Sequence, residues 1–186
     1  AGAYSYTISG DMNGDRVNNN ELIFIPKAGT DIKFAPLVVG TTTYTEAQQQ
    51  AAFEAYIKQD KYLSANRGQY AARNASVVPM LHRFDVSIVQ EFFVKVKGKR
   101  NTLQFRADIL NFANMLNDSW GVSQRVTNPQ VLAFSSVNTA GEPVYKLATQ
   151  KNLDGTTTLI KDTYQKNSSV FDVWQAQIGL RYIFGR

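Results

Sequence analysis

VFDVWQAQIGLRYIF, residues 170–184, is the stretch on which the fold class turns. As a strand it places Trp174, Ala176, Ile178, Leu180, Tyr182 and Phe184 on one side, and Val173, Gln175, Gln177, Gly179, Arg181 and Ile183 on the other, because successive side chains of a strand point to opposite faces. One face is apolar with rings at both ends; the other is mostly polar or small. An apolar band about 25 Å tall between aromatic girdles marks a strand that meets lipid on one side and a polar barrel interior on the other. An edge strand of a soluble sheet alternates in the same way, and the placement of the rings is what weighs towards the barrel.

A second, longer pattern repeats the first. Over 82–97 the residues Phe84, Val86, Ile88, Phe92, Val94 and Val96 share a face broken only by Gln90. Arg83, Asp85, Ser87, Glu91, Lys95 and Lys97 oppose them, with Val89 and Phe93 among them. A turn over 97–101 leads into 101–110, where Leu103, Phe105, Ala107 and Ile109 answer on the apolar side and Thr102, Gln104, Arg106 and Asp108 on the polar one. The first arm exceeds the roughly 5–6 residues usual for globular strands and suits a tilted membrane strand of about 9–11. Asp85 and Glu91 are expected to pair with Arg106 or with lysines, as ion pairs lining a lumen. Further strands are expected near 2–9, 120–126 and 144–148, with a weaker candidate at 156–160.

Between these strands the chain carries one helical signal. Thr45 and Gln48 fit a capping box, and 46–59 is rich in Ala, Gln and Glu, which favour helix. Phe53, Tyr56 and Ile57 form its narrow apolar stripe. The fold class expected is mainly β: an antiparallel up-and-down meander forming part of a large outer-membrane β-barrel, with one short helix in an outer loop.

Composition agrees with that class. The 186 residues contain no apolar run long enough for a membrane helix, and strands that cross a bilayer are half polar, so a mean hydropathy of -0.28 does not oppose a barrel. Eleven Phe, nine Tyr and two Trp are present, and the net charge is +5. The densest basic patch, Lys95, Lys97, Lys99 and Arg100, sits around one turn. No basic stripe is interleaved with rings that would stack on bases, which argues against nucleic acid as a partner. The absence of cysteine excludes a disulfide scaffold and a thiolate metal site. The opening AGAYSYTISG has neither a charged n-region nor an apolar h-region. It begins inside a strand pattern, so the chain reads as a piece of a longer protein.

Chemistry-bearing constellations are few. Asp11, Asn13 and Asp15 alternate in an Asn/Asp/Gly-rich loop, followed by Asn19 and Glu21. Calcium takes six to eight hard oxygens, which an EF-hand loop supplies over twelve residues with Gly at the sixth. Here the sixth position is Arg16, and Glu21 arrives at the eleventh. Two readings stand: a calcium loop built from Asp11, Asn13, Asp15, Asn19 and Glu21, or a turn whose side chains bond their own backbone. The single histidine, His82, would have to act alone as base or ligand, and neither G-x-S-x-G nor a Walker-type loop occurs. The expectation is therefore that the chain is not an enzyme, with no catalytic residue and no cofactor other than Ca²⁺.

Five stretches in order resemble one family: GDMNGDRVNNNELIFIP (10–26), FEAYIKQDKYLSANRGQYAARNA (53–75), RFDVSIVQEF (83–92), LQFRADILNFANMLNDSWG (103–121) and WQAQIGLRYIF (174–184). They are similar to the C-terminal part of TonB-dependent outer-membrane receptors of the Oar-like group, which carries a carboxypeptidase-regulatory-like domain at its N-terminus. Gln177-x-Gly179-x-x-Tyr182-x-Phe184 also resembles the C-terminal signal of bacterial outer-membrane barrels, although Gly185 and Arg186 follow the aromatic here. Residues 127–169 carry no such resemblance.

The resemblance implies a barrel of about 22 strands with a plugged lumen, to which this chain would contribute roughly five to seven strands. It implies residence in the bacterial outer membrane and transport of a substrate across it. The implied partners are outer-membrane lipid, upstream barrel strands and plug of the same protein, and a periplasmic energy-coupling protein reached through the missing N-terminal part. Loops 10–81 and 111–121 would then face outward and the 97–101 turn the periplasm. The competing reading is a soluble secreted β-rich binding module with a calcium-stabilised loop, in which the apolar strand faces must cover one another.

Overall fold

The computed structural model describes residues 2–167 and 169–184; Gly185 and Arg186, which follow the terminal aromatic, lie outside them. The chain is mainly β, with antiparallel sheets and three helices, and no closed barrel among the described residues. It divides into two compact units, Ala1–Pro79 with Arg125–Gln165, and Met80–Gln124 with Lys166–Arg186.

The first unit is built on α1, Glu46–Gln59. Its start follows from local chemistry: the Thr45 hydroxyl accepts from the Gln48 backbone N–H at 3.3 Å, and the Gln48 side chain accepts from the Thr45 N–H at 2.8 Å. Gln49, Phe53, Tyr56 and Ile57 are fully buried, at the 3.6-residue spacing that puts them on one stripe. Burying a large apolar side chain contributes about 1.5–3 kcal/mol. Asp60 ends α1 and starts α2, Lys61–Ala65, by accepting from the N–H groups of Tyr62 and Leu63, both at 2.8 Å.

Against α1 lies a four-stranded sheet in the order Ile8–Ser9, Leu132–Val137, Pro143–Leu147, Lys33–Phe34. Its central pair is antiparallel and both outer pairs are parallel. The core gathers Tyr6, Ile8, Ile23, Phe34, Leu132 and Ile160 with the stripe of α1.

This unit corrects several sequence expectations. The two parallel pairs depart from a purely antiparallel meander. Residues 2–9 do not form one strand; they give Ala3–Tyr4 and Ile8–Ser9, with Tyr6 buried in the core. The helix has the expected bounds, but 10–81 is no open loop around it, because α1 is the wall of a hydrophobic core. The strand expected near 144–148 runs Pro143–Leu147, the weaker candidate is confined to Thr157–Leu159, and Leu132–Val137 was not foreseen.

The second unit holds a three-stranded antiparallel sheet. Its hairpin has a first arm Val86–Val96 and a second arm Lys99–Leu110, and the closing strand Gln175–Ile183 lies on the other side of the second arm. The reversal is tighter than the expected 97–101: Val96 pairs with Lys99, so the loop is Lys97-Gly98, at φ 50° and 79°. Positive φ at both central residues is the type I′ turn, whose twist matches that of the flanking strands. The closing strand begins at Gln175 and not at 170, since Val170–Asp172 forms a 3₁₀ turn. At the far end Asn111 takes a left-handed conformation (φ 53°), and the third helix, α3, spans Phe112–Leu116. The strand expected at 120–126 shortens to Gln124–Val126.

Candidate functional site

The register of the three long strands sorts their side chains row by row. Val86, Ile109 and Ala176 form one row of the first face, Ile88, Ala107 and Ile178 the next, then Gln90, Phe105 and Leu180, then Phe92, Leu103 and Tyr182. Rows of the second face read Ser87, Asp108, Gln177; Val89, Arg106, Gly179; Glu91, Gln104, Arg181; and Phe93, Thr102, Ile183. The sheet is apolar on one side and mixed polar on the other.

Among the described residues no second layer covers either side. Phe84, Ile88, Phe92, Leu180, Tyr182 and Phe184 are each 56–74% exposed. With Val94, Val96, Leu103 and Ile178 they leave an apolar surface on the order of 1,000 Å², since large side chains carry ~150–250 Å² each. The largest patch on a soluble monomer is usually ~300–600 Å². At about 3.4 Å per residue the arms are long enough to cross ~30 Å of hydrocarbon while tilted. Tyr182 and Phe184 stack at 5.7 Å between centroids near the turn end, and the Tyr182 hydroxyl donates to the Asn101 amide oxygen at 3.1 Å.

On the polar side Asp108 accepts from the Ser87 hydroxyl at 2.6 Å and from Arg106 Nε at 2.7 Å. Glu91 accepts from Gln104 Nε2 at 2.8 Å and lies 4.0 Å from Arg100. The expected pairing of Asp85 or Glu91 with Arg106 does not form: Arg106 sits two residues from Asp108 on its own strand, a shorter reach than across the hairpin. Asp85 accepts instead from the Asn111 backbone N–H at 2.8 Å. Asp85, Ser87, Arg106, Asp108 and Gln177 line a hollow of about 510 Å³ on this side.

A lock not read from the sequence fixes the end of the sheet away from the turn. Asn111, fully buried, donates from Nδ2 to the carbonyls of Gly121 (3.0 Å) and Asp172 (3.2 Å). The Asp172 carboxylate accepts from the Ser123 N–H at 2.9 Å and stands 3.7 Å from Arg83, which also donates to the Phe171 carbonyl. The Ser123 N–H, before any other group, holds the Asp172 carboxyl below the usual range. Gly121 has φ 64°, and a Cβ there would clash with the Asn111 amide, so the glycine is required twice over.

The acidic loop belongs to the first unit. Asp11, Asp15 and Glu21 offer carboxylate oxygens within 4.8 Å of one another. Asp11 accepts from the N–H groups of Gly14 (2.7 Å) and Arg16 (2.8 Å), Asn13 from Asp15 N–H (2.9 Å), Asp15 from Val17 N–H (2.7 Å) and Asn19 from Gly10 N–H (3.2 Å). The Val17 N–H, then the Asn13 amide, keep the Asp15 carboxyl below its ordinary range. Arg16, at the sixth position, takes φ 69°, the left-handed bend for which an EF-hand uses glycine.

Glu21 is brought round by pairing on either side: Ile8 N–H donates to the Glu21 carbonyl at 2.8 Å, and Ile23 N–H to Tyr6 at 3.2 Å. Both carboxylate oxygens of Glu21 and Oδ1 of Asn20 are shielded from solvent and have no hydrogen-bond partner. Asn13 and Asn19 use their amide oxygens to brace the backbone. Asn20, which the sequence reading passed over, contributes the orphaned oxygen and an Nδ2 donor 3.3 Å from Asp15. His82 is exposed. The chain significantly matches none of the protein-family models, curated proteins or solved structures with which it was compared.

Proposed function

We propose that this chain is the C-terminal barrel portion of an outer-membrane TonB-dependent transporter, and that it performs no catalysis. The observation that carries the reading is the two-sided three-stranded sheet, apolar on one face and exposed on both. Lipid answers the apolar face, and neighbouring barrel strands answer the free edges of the first arm and the closing strand, which would otherwise pair with foreign chains. The polar face then lines the lumen with a plug supplied upstream, and energy reaches the barrel through a periplasmic coupling protein. The soluble-module reading needs a second layer over the apolar rows, and the described residues supply none. Sedimentation of the chain with and without detergent tests the choice. Self-association in plain buffer that micelles reverse is expected, and a monodisperse monomer in plain buffer overturns the barrel.

The acidic loop is proposed to hold Ca²⁺ in the first unit, with Asp11, Asp15 and Glu21 as charged ligands and Asn13, Asn19 and Asn20 as neutral oxygens. Support comes from the orphaned Glu21 oxygens: three clustered carboxylates repel one another, and a hard cation satisfies all of them. Its part would be structural, tying Glu21 to the 11–15 turn. Calorimetric titration of calcium into the chain is expected to give a saturable heat that the Asp11→Ala, Asp15→Ala double variant lacks. No heat with either protein ends the calcium reading.

A further inference from the structure

We infer that the tip of the long hairpin is a docking surface for the anionic headgroups of phospholipid, the lipid class that the basic residues around Lys97-Gly98 are built to meet. The inference rests on the barrel reading for its geometry and adds to it a lipid preference.

The register is the main argument. Lys95 and Arg100 are direct partners across the hairpin, and like charges placed opposite one another destabilise a sheet. Lys97 stands in the turn between them, and Lys99, paired with Val96, reaches out on the apolar side. All four are exposed. Lys95, Lys97 and Lys99 make no ion pair among the described residues, and Arg100 has only Glu91 at 4.0 Å while lying over the Phe93 ring at 4.3 Å. A cationic group of this density, held together against its own repulsion, is stabilised by an external anion.

The level of the tip identifies that anion. Apolar Val94 and Val96 and the stacked rings of Tyr182 and Phe184 occupy the same end of the sheet. Rings with a polar tip settle at the boundary between hydrocarbon and headgroups, and long basic side chains extend from there into the headgroup layer. Phosphate esters at that depth place charge beside Lys99 on the lipid-facing side and Lys97 in the turn, while Lys95 and Arg100, on the polar face two residues from the turn, add their positive field at the rim.

The test is flotation of the full chain with vesicles of phosphatidylcholine alone and of phosphatidylcholine with phosphatidylglycerol, at low and high salt. Phosphatidylglycerol is expected to raise partition at least about tenfold at low salt, each cation at the surface contributing up to about fivefold, and salt is expected to erase the gain. A variant carrying Lys95→Gln, Lys97→Gln, Lys99→Gln and Arg100→Gln should lose the gain and keep its binding to phosphatidylcholine. One carrying Lys58→Gln, Lys61→Gln, Lys146→Gln and Lys151→Gln removes as much charge from the first unit and should keep the gain. Retention of the gain by the tip variant, or equal loss in both variants, overturns the inference. Displacement by inorganic phosphate at matched ionic strength would mean a free-phosphate site and also overturns it. A chain that ignores phosphatidylcholine yet binds anionic vesicles through the tip overturns the barrel reading alone, and one that floats with neither overturns both.

Discussion

Gln49 is a polar side chain with no solvent contact, and the sheet beside it explains why it is there. After Phe34 the edge strand stops at Pro36, so the backbone of Pro143–Leu147 loses its partner partway along. Gln49 takes over, donating from Nε2 to the Ala35 carbonyl at 2.7 Å and accepting from the Leu147 N–H at 3.0 Å. Gln49→Met keeps the volume and orphans both groups, at about 1–3 kcal/mol for each buried group left unpaired. A loss of about 2–4 kcal/mol is expected in urea unfolding of the first unit; an unchanged midpoint would mean the ladder is satisfied without Gln49. Asp60 shows the same economy. Its second oxygen accepts from Tyr6 at 2.6 Å and from Tyr4 at 3.3 Å, with Tyr164 joined to Tyr4 at 3.1 Å. Burial first, then repulsion from Tyr56 and the bond to Asp60, pushes the Tyr6 hydroxyl far above the ordinary tyrosine value. A folded-state pKa above the unfolded one contributes stability that is complete below about pH 10 and is lost as pH rises beyond it. The first unit should therefore unfold in alkali together with tyrosine ionisation, followed by absorbance at 295 nm. Tyr6→Phe should cost about 1–3 kcal/mol at neutral pH and flatten that alkaline dependence.

The hairpin turn is where an element's geometry is set by two residues. Lys97 pays for a left-handed conformation that asparagine adopts more readily, and Gly98 occupies one that costs a residue with a Cβ about 1–2 kcal/mol. Lys97→Asn should raise, and Gly98→Ala lower, the hydrogen-exchange protection of the Val94–Asn101 region in micelles; equal protection in both would mean that flanking strands, not the turn, fix the register. The long strands were legible because each has a face that differs chemically from the other over nine or more residues, enough cycles for a period of two to stand out. α1 was legible from its cap, since Thr45 and Gln48 declare the helix start within four residues. The four-stranded sheet was not. Ile8–Ser9 and Lys33–Phe34 are too short to show any period, and their partners, Leu132 and Tyr145, lie more than a hundred residues away, so nothing local announces a parallel pair. Of the acidic loop, Asp11, Asp15 and Glu21 were readable from spacing. Asn20 was not, because its part depends on how the Thr7–Leu22 bridge turns the chain. The Asn111 lock depends likewise on residues brought together from positions 83, 121 and 172.

At the scale of the whole molecule, the two units differ in what their apolar residues meet. In the first, Phe53, Tyr56, Ile57 and Ile23 are fully buried, so they meet one another and not solvent. In the second, the sheet's hydrogen bonds join strands whose side chains are exposed on both faces, and three strands without a packed face are marginal in water. On the proposed barrel reading, transfer of the apolar rows into hydrocarbon would supply the missing stabilisation, at about 25 cal/mol per Å² of surface removed from water. Hydrogen–deuterium exchange of the full chain, in buffer and in micelles, separates these cases. Amides of α1 and of Leu132–Val137 should be protected in both media, since local opening there exposes a packed core. Amides of Val86–Val96, Lys99–Leu110 and Gln175–Ile183 should exchange quickly in buffer and become protected only in micelles. Replacing Ile88, Phe92 and Leu180 with serine should abolish the micelle-dependent protection and leave α1 untouched. Strong protection of the three long strands in plain buffer would show that they need no apolar medium, and the lipid-facing assignment of their ring-bearing side would fall with it.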